Sequence, residues 1–156
     1  MKQALLFASI AVASGLLFAN VYNSMVDVPS WGADIPRTIE VTREYFKSVN
    51  PGAFFRIFSP LNQVLGLLAL ILFWKTSKTV RMYLGAALVL YVLGDVMTFA
   101  YFYPRNDIMF INQLTDVEAV RAAWSEWKTM NWVRSLDVLA GVVCSFMALH
   151  RSYQTK

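Results

Sequence analysis

Four apolar stretches, at about 4–24, 55–74, 82–103 and 117–150, constrain this chain more than any other feature. A helix rises about 1.5 Å per residue and needs about 20 residues to cross the hydrocarbon core of a bilayer. Three stretches meet that length outright. The second meets it when it begins near Phe54 and Arg56 snorkels to the interface. The chain has 156 residues, 57% of them hydrophobic, which is room for one domain and more apolar than a soluble one. The expectation is an all-α integral membrane four-helix bundle occupying 1–156 as a single domain. The turn at 75–80 is short, so helices two and three are antiparallel neighbours and the connectivity is up-down-up-down.

The net charge of +4 reports orientation rather than a nucleic-acid partner. Lys2, Lys75, Lys78, Arg81, Arg151 and Lys156 gather on one side of the four-helix scheme with no carboxylate among them. The loops at 25–55 and 104–123 mix both signs. Lys and Arg in short loops mark the cytoplasmic side. Both termini and the 75–81 turn are therefore expected in the cytoplasm, with the longer loops outside a bacterial inner membrane. The first stretch also resembles a secretory signal with Ala19 as a cleavage point. Its apolar run outlasts such a signal, and its removal would leave three helices, so a retained first helix is expected.

The external loops carry local structure. Ile39, Val41, Tyr45 and Phe46, mixed with charges, suit a short interfacial helix over the bundle mouth. Pro104 to Asp107 reads as the end of helix three. Thr115, with Glu118 three positions on, reads as the capped start of a long fourth helix. Trp74, Tyr101, Tyr103, Trp124, Trp127 and Trp132 cluster near segment ends, as interfacial aromatic belts do.

Within the apolar stretches lie Asp95, Arg134 and Asp137. A charge at the bilayer centre costs at least about 2.5–3.5 kcal/mol on insertion scales, so such groups face the bundle interior and find partners. Counted from Trp124, Arg134 is about 15 Å deep, and Asp95 counted from Pro104 is about 13–14 Å deep. Asn20, Asn23, Asn62 and Gln63 fall in the same outer half. Trp127, Asn131, Arg134, Val138 and Gly141 recur at steps of four and three and share one face. One reading is an ion pair of Arg134 with Asp95 or Asp137 that fastens helices together. The other is an outward-opening pocket, since the cluster is larger than fastening requires. The fixed donor fork of Arg suits an enolate or carboxylate oxygen.

Other chemistries lack their residues. Cys144 is the single cysteine, so there is no internal disulfide, cysteine redox pair or cysteine zinc site. His150, the single histidine, sits beside Arg151 at the other end of the bundle. No metal and no cofactor are predicted, and no Gly-rich phosphate loop or Ser/His/Asp arrangement is present. The expected partners are membrane lipid and a small apolar or aromatic ligand. Nothing in the sequence specifies a homo-oligomer.

Three stretches together carry a family resemblance: Gly15 to Tyr22, Asn50 to Phe55 leading through Pro60, and Trp124 to Arg134. The spacing of Trp127, Asn131 and Arg134 resembles the signature of the anthrone-oxygenase-like family of small four-helix membrane proteins. The resemblance implies an oxidoreductase. Fungal members are associated with oxidising polyketide anthrones to anthraquinones, and the chain has no His-rich motif for metal-assisted oxygen chemistry. By that resemblance Asn131 and Arg134 line the site, Trp127 stands at its mouth, and helix one adds Asn20 and Tyr22. A metal-free route needs a base, an oxyanion partner and a water-poor pocket. Arg134, Asp95 and Asn131 are the candidate catalytic residues: Asp95 as base, Arg134 on the enolate oxygen, Asn131 with Asn20 on the ring carbonyl. Asn20, Asn23, Asn62, Trp127, Tyr22 and Asp137 are the candidate substrate-binding set. The alternative is a non-catalytic protein that binds a lipid or quinone-like ligand, or a small helper subunit of a membrane complex. A transporter fits less well, for want of an inverted repeat.

Overall fold

A computed structural model describes residues 2–154. These residues form five helices: α1 (Lys2–Trp31), α2 (Arg37–Tyr45), α3 (Gly52–Phe73), α4 (Lys78–Ile111) and α5 (Val117–Gln154). Among the described residues there is no strand. All but α2 are long and apolar enough to cross a membrane, which makes this an integral membrane protein. Phe18, Ile57, Val89 and Leu136 point outward, each more than half exposed. Lipid accepts such side chains, and a helix satisfies its own backbone there. Lys156, counted with the basic end, lies outside the described residues.

The four long helices close into a ring in which α1 packs on α3, α3 on α4, α4 on α5 and α5 on α1. At one end, Leu6, Ile10, Ala69, Phe73, Val80, Leu84, Ala148 and Leu149 form a common apolar base. That base joins the starts of α1 and α4 to the ends of α3 and α5, so successive rods run in opposite directions. At the other end, Val28, Trp31, Ile35, Ile39, Phe102, Met109, Val120, Ala123 and Trp127 form a cap. No residue of α3 belongs to it. Over the apolar stretch of each of the four, α5 is the most buried and α3 the least.

Helix ends depart from the sequence expectations in three places. Helix α1 does not stop near residue 24 but passes through a π-helical turn at Asn23–Asp27 and continues to Trp31. Likewise α4 begins at Lys78, capped by Ser77 (Oγ accepting from Val80 N at 3.2 Å), and runs on past Pro104 to Ile111. Pro104 falls in the first turn after the π-helical turn Thr98–Phe102, where its missing N–H interrupts little. At the start of α5 the cap is Asp116 rather than Thr115, since Asp116 Oδ1 accepts from the Ala119 N–H at 3.0 Å.

Of the residues read as an aromatic belt, Trp74, Tyr103 and Trp132 are exposed on the outer surface, whereas Trp124 and Trp127 turn inward. Trp127 is buried between Trp31 and Phe102, edge to face at 5.3 and 5.2 Å. Trp124 donates its indole N–H to the Val28 carbonyl at 2.8 Å. The interfacial helix expected near 38–48 is α2. It is held down by Arg43, whose Nε and Nη2 donate to the Met109 carbonyl at 2.9 and 2.7 Å, and Nη2 also to that of Asn112 at 2.8 Å. These are carbonyls at the end of α4, where a helix leaves acceptors unpaired and its dipole favours a cation.

The Trp124 ring rests on Gly32, with the indole nitrogen 2.7 Å from where a Cβ would stand and two ring carbons nearer still. Gly32→Ala must therefore displace the ring and its bond to Val28. The expected loss is about 1–3 kcal/mol of stability, typical of overpacking, read as a lower thermal midpoint in detergent. Gly15→Ala, with open space around its Cβ, should leave the midpoint unchanged.

Candidate functional site

Between base and cap the ring of helices encloses a polar layer. On α1 it presents Asn20, on α3 Ser59 and Asn62, on α4 Asp95 and Thr98, and on α5 Arg134. Leu16, Phe55, Tyr91, Gly94 and Val138 complete the wall of a cleft of about 30 Å³. One water takes about 30 Å³ of liquid, whereas pockets for drug-sized ligands run to about 300–1,000 Å³. A ring-sized ligand thus needs side chains or a helix to move. Tyr91 forms the floor. Its hydroxyl lies 3.0 Å from Ser145 Oγ, and its ring lies 2.5 Å from the position of a Cβ on Gly141.

Arg134 dominates the layer. The residue is 8% exposed; its guanidinium donates from Nη2 to Asn131 Oδ1 and from Nη1 reaches Thr98 Oγ1 at 3.3 Å. Phe102 lies against it at 4.0 Å, with Trp127 and Phe55 at 5.7 and 5.8 Å. Ring faces attract a cation, more strongly where water is excluded. The ion pair of one reading, with Asp95 or Asp137, does not form: among the described residues no carboxylate oxygen comes within 4.0 Å of Arg134. Asp95 turns instead towards α3, where Gln63 Nε2 donates to its Oδ2. Asp137 is half-buried against Gly94, its Oδ2 about 3.4 Å from the Cβ position there and without a hydrogen bond. Arg134 Nε also lacks a partner, as do Asn20 Oδ1 and Asn62 Oδ1, all buried. Each such atom forgoes hydration without compensation.

Asn131 is fully buried, and both its amide protons are used, on the Asn20 carbonyl at 3.0 Å and on Ser24 Oγ at 2.6 Å. Its oxygen holds Arg134. It therefore has no amide proton left for a ring carbonyl, and its contacts join α1 to Arg134. The π-helical turn that follows Tyr22 is where Ser24 is presented to it.

The other expected residues divide. Asn20, Asn62, Asp95 and Arg134 share the cleft. Trp127 is a buried roof whose N–H donates to Asn106 Oδ1 at 2.9 Å, rather than an open mouth. Asn23 is buried but not in the cleft wall, and Tyr22 is 57% exposed on the outer surface. Tyr22 follows Val21 round the helix, away from the face that carries Asn20. Sequence reasoning passed over Ser24, Ser59 and Thr98. Each had a signal in its spacing: Ser24 is four after Asn20, Ser59 three before Asn62 and Thr98 three after Asp95, so each shares a face with a residue already singled out. Among the described residues no group of three His, Cys, Asp or Glu side chains is placed to hold a metal ion.

Asn131→Ala leaves the Arg134 Nη2, the Asn20 carbonyl and Ser24 Oγ with one partner fewer each. Hydrogen bonds to a charged group contribute about 1.5–3 kcal/mol, so thermal unfolding in detergent should show a loss of at least that size. An unchanged midpoint would mean that Arg134 is not held through Asn131.

No curated protein and no solved structure matches this chain. The family model of the anthrone oxygenases matches residues 53–144, more than half of the chain. That span opens with α3 and takes in Asn62, Asp95, Asn131 and Arg134. The chain belongs to the anthrone oxygenase family.

Proposed function

We propose that this protein is a membrane oxygenase that oxidises an anthrone-like or other apolar aromatic substrate with dioxygen, at Arg134. The observation that carries the reading is the guanidinium itself. A buried cation with no carboxylate within ion-pair distance, and with an unpaired Nε, is costly to keep. An anionic oxygen from a ligand supplies what it lacks. Family membership supports the substrate class.

The chemistry balances as anthrone plus O₂ giving anthraquinone plus water. An anthrone carries an acidic benzylic C–H opposite its ketone. Asp95 takes that proton, and the charge moves to the ketone oxygen, where Arg134 stabilises the enolate. The enolate gives one electron to O₂, and the two radicals combine into a carbon–oxygen bond; the peroxide so formed takes back the proton held by Asp95 and becomes a hydroperoxide. Asp95 then removes the second benzylic proton as the O–O bond breaks, the new carbonyl forms, and the departing hydroxide takes that proton to leave as water. Asn20 and Asn62, each with an unpaired oxygen in the cleft, orient hydroxyl groups of the ligand. Nothing in this sequence of steps requires a metal or a cofactor.

The same reading puts the capped end outside and the end carrying Lys75, Lys78 and Arg81 in the cytoplasm of a bacterium. Oxygen uptake by the detergent-purified protein with a simple anthrone tests the proposal. Wild type should exceed the protein-free rate, and Arg134→Gln should lower turnover by about 10²–10³-fold, the usual effect of removing one oxyanion donor. Uptake at the protein-free rate would favour a protein that binds a lipid or quinone-like ligand unchanged. Equal turnover in the variant would remove Arg134 from the chemistry.

A further inference from the structure

The cleft has one weak side. Its residues on α1 and α5, such as Asn20 and Arg134, are buried, whereas Phe55 and Ser59 on α3 and Asp95 and Thr98 on α4 are partly exposed. The opening therefore lies along the seam between α3 and α4. At this level α3 is poorly held. It has no buried residue before Asn62, it contributes nothing to the cap, and Pro60 sits inside it. Proline removes one backbone bond and loosens the turn before it. Across the seam, Gln63 donates to Asp95.

The rim of this opening is apolar. Phe54 and Phe58 lie against each other on α3, ring centroids 4.6 Å apart and planes tilted by 33°, and Phe99, one turn beyond Asp95 on α4, is 64% exposed. A cleft of about 30 Å³ admits no ring system unless a wall yields. The cap and the base clamp the other three helices at the levels above and below, and residues 52–61 of α3 are the part of the wall outside both, touching the layer only through Phe55 against Arg134 and Ser59 at Asp95.

We infer that the first half of α3 is a side gate through which a flat, apolar molecule passes from the lipid into the cleft, latched by the hydrogen bond from Gln63 to Asp95. The inference rests on the proposed site but not on its oxidation chemistry. A ligand dissolved in the bilayer then reaches Arg134 without crossing water. The cap, by contrast, stays shut.

The test uses the full-length protein in phospholipid vesicles, with Cys144→Ser and a nitroxide attached at Phe55→Cys, a label close to phenylalanine in bulk. Collisions with dissolved oxygen report contact with lipid, and collisions with a charged nickel chelate report contact with water. The expected result is strong relaxation by oxygen and little by nickel. Adding Gln63→Leu should raise the mobile, oxygen-accessible fraction, since loss of one hydrogen bond shifts an open–closed ratio about fivefold. Relaxation by nickel as strong as by oxygen would show a cleft open to water and overturn the gate. An unchanged label in Gln63→Leu would overturn the latch. Neither readout involves turnover, so a protein that fails to oxidise anthrones still shows whether the gate opens to lipid.

Discussion

The guanidinium of Arg134, lodged among three aromatic rings and tied to Asn131, is the interaction on which the upper half of the bundle depends. Asn131 spends its two protons on α1, one on the Asn20 carbonyl and one on Ser24, so the residue that fixes the cation also fastens α1 to α5. Thr98 brings α4 to the same cation. Interhelical hydrogen bonds act as glue in lipid because the hydrocarbon offers no substitute partner. Three helices thus converge on one charge, and the atoms left unpaired around it, a donor on Arg134 and acceptors on Asn20 and Asn62, are where the proposed ligand would be held.

That convergence also explains the uneven build of the ring. The helices that hold Arg134 continue upward into the cap, where Trp31, Phe102 and Trp127 pack edge to face directly above the guanidinium. Helix α3 joins the ring at the base, through Ala69 and Phe73, and takes no part in the cap. The packing is thus closest around the cation and sparsest along the first half of α3, where the proposed gate lies. The π-helical turns belong to the close-packed part. In α1 and in α4 they lie just beyond Asn20 and Asp95, presenting Ser24 to Asn131 and Phe102 to Arg134.

Length and hydropathy sufficed to place the four spans, because a membrane crossing sets a length and a composition that little else in a chain of 156 residues imitates. Helical spacing located Asn20, Asn62, Asp95 and Arg134 at one level for the same kind of reason. What the sequence concealed was direction. Opposite charges at equal depth invite an ion pair, yet Asp95 sits on the side of α4 that faces α3 and meets Gln63. Proline and polar residues at 104–107 read as a terminus because a π-helical turn, which lets α4 absorb them, leaves no mark in composition. Trp127 at a segment end fits a belt equally well as a core. Only its meeting with Trp31, brought from far along the chain, decides between them.

The most direct test of an oxyanion site at Arg134 is the ionisation of a bound hydroxyanthraquinone, a flat phenol that changes colour when it loses its proton. Titrated in vesicles, the dye bound to wild type should ionise at least about one pH unit lower than with Arg134→Gln, one unit being about 1.4 kcal/mol of preference for the anion. Ionisation at the same pH with both proteins would contradict the account, since the cation would then be structural and the cleft indifferent to a ligand's charge.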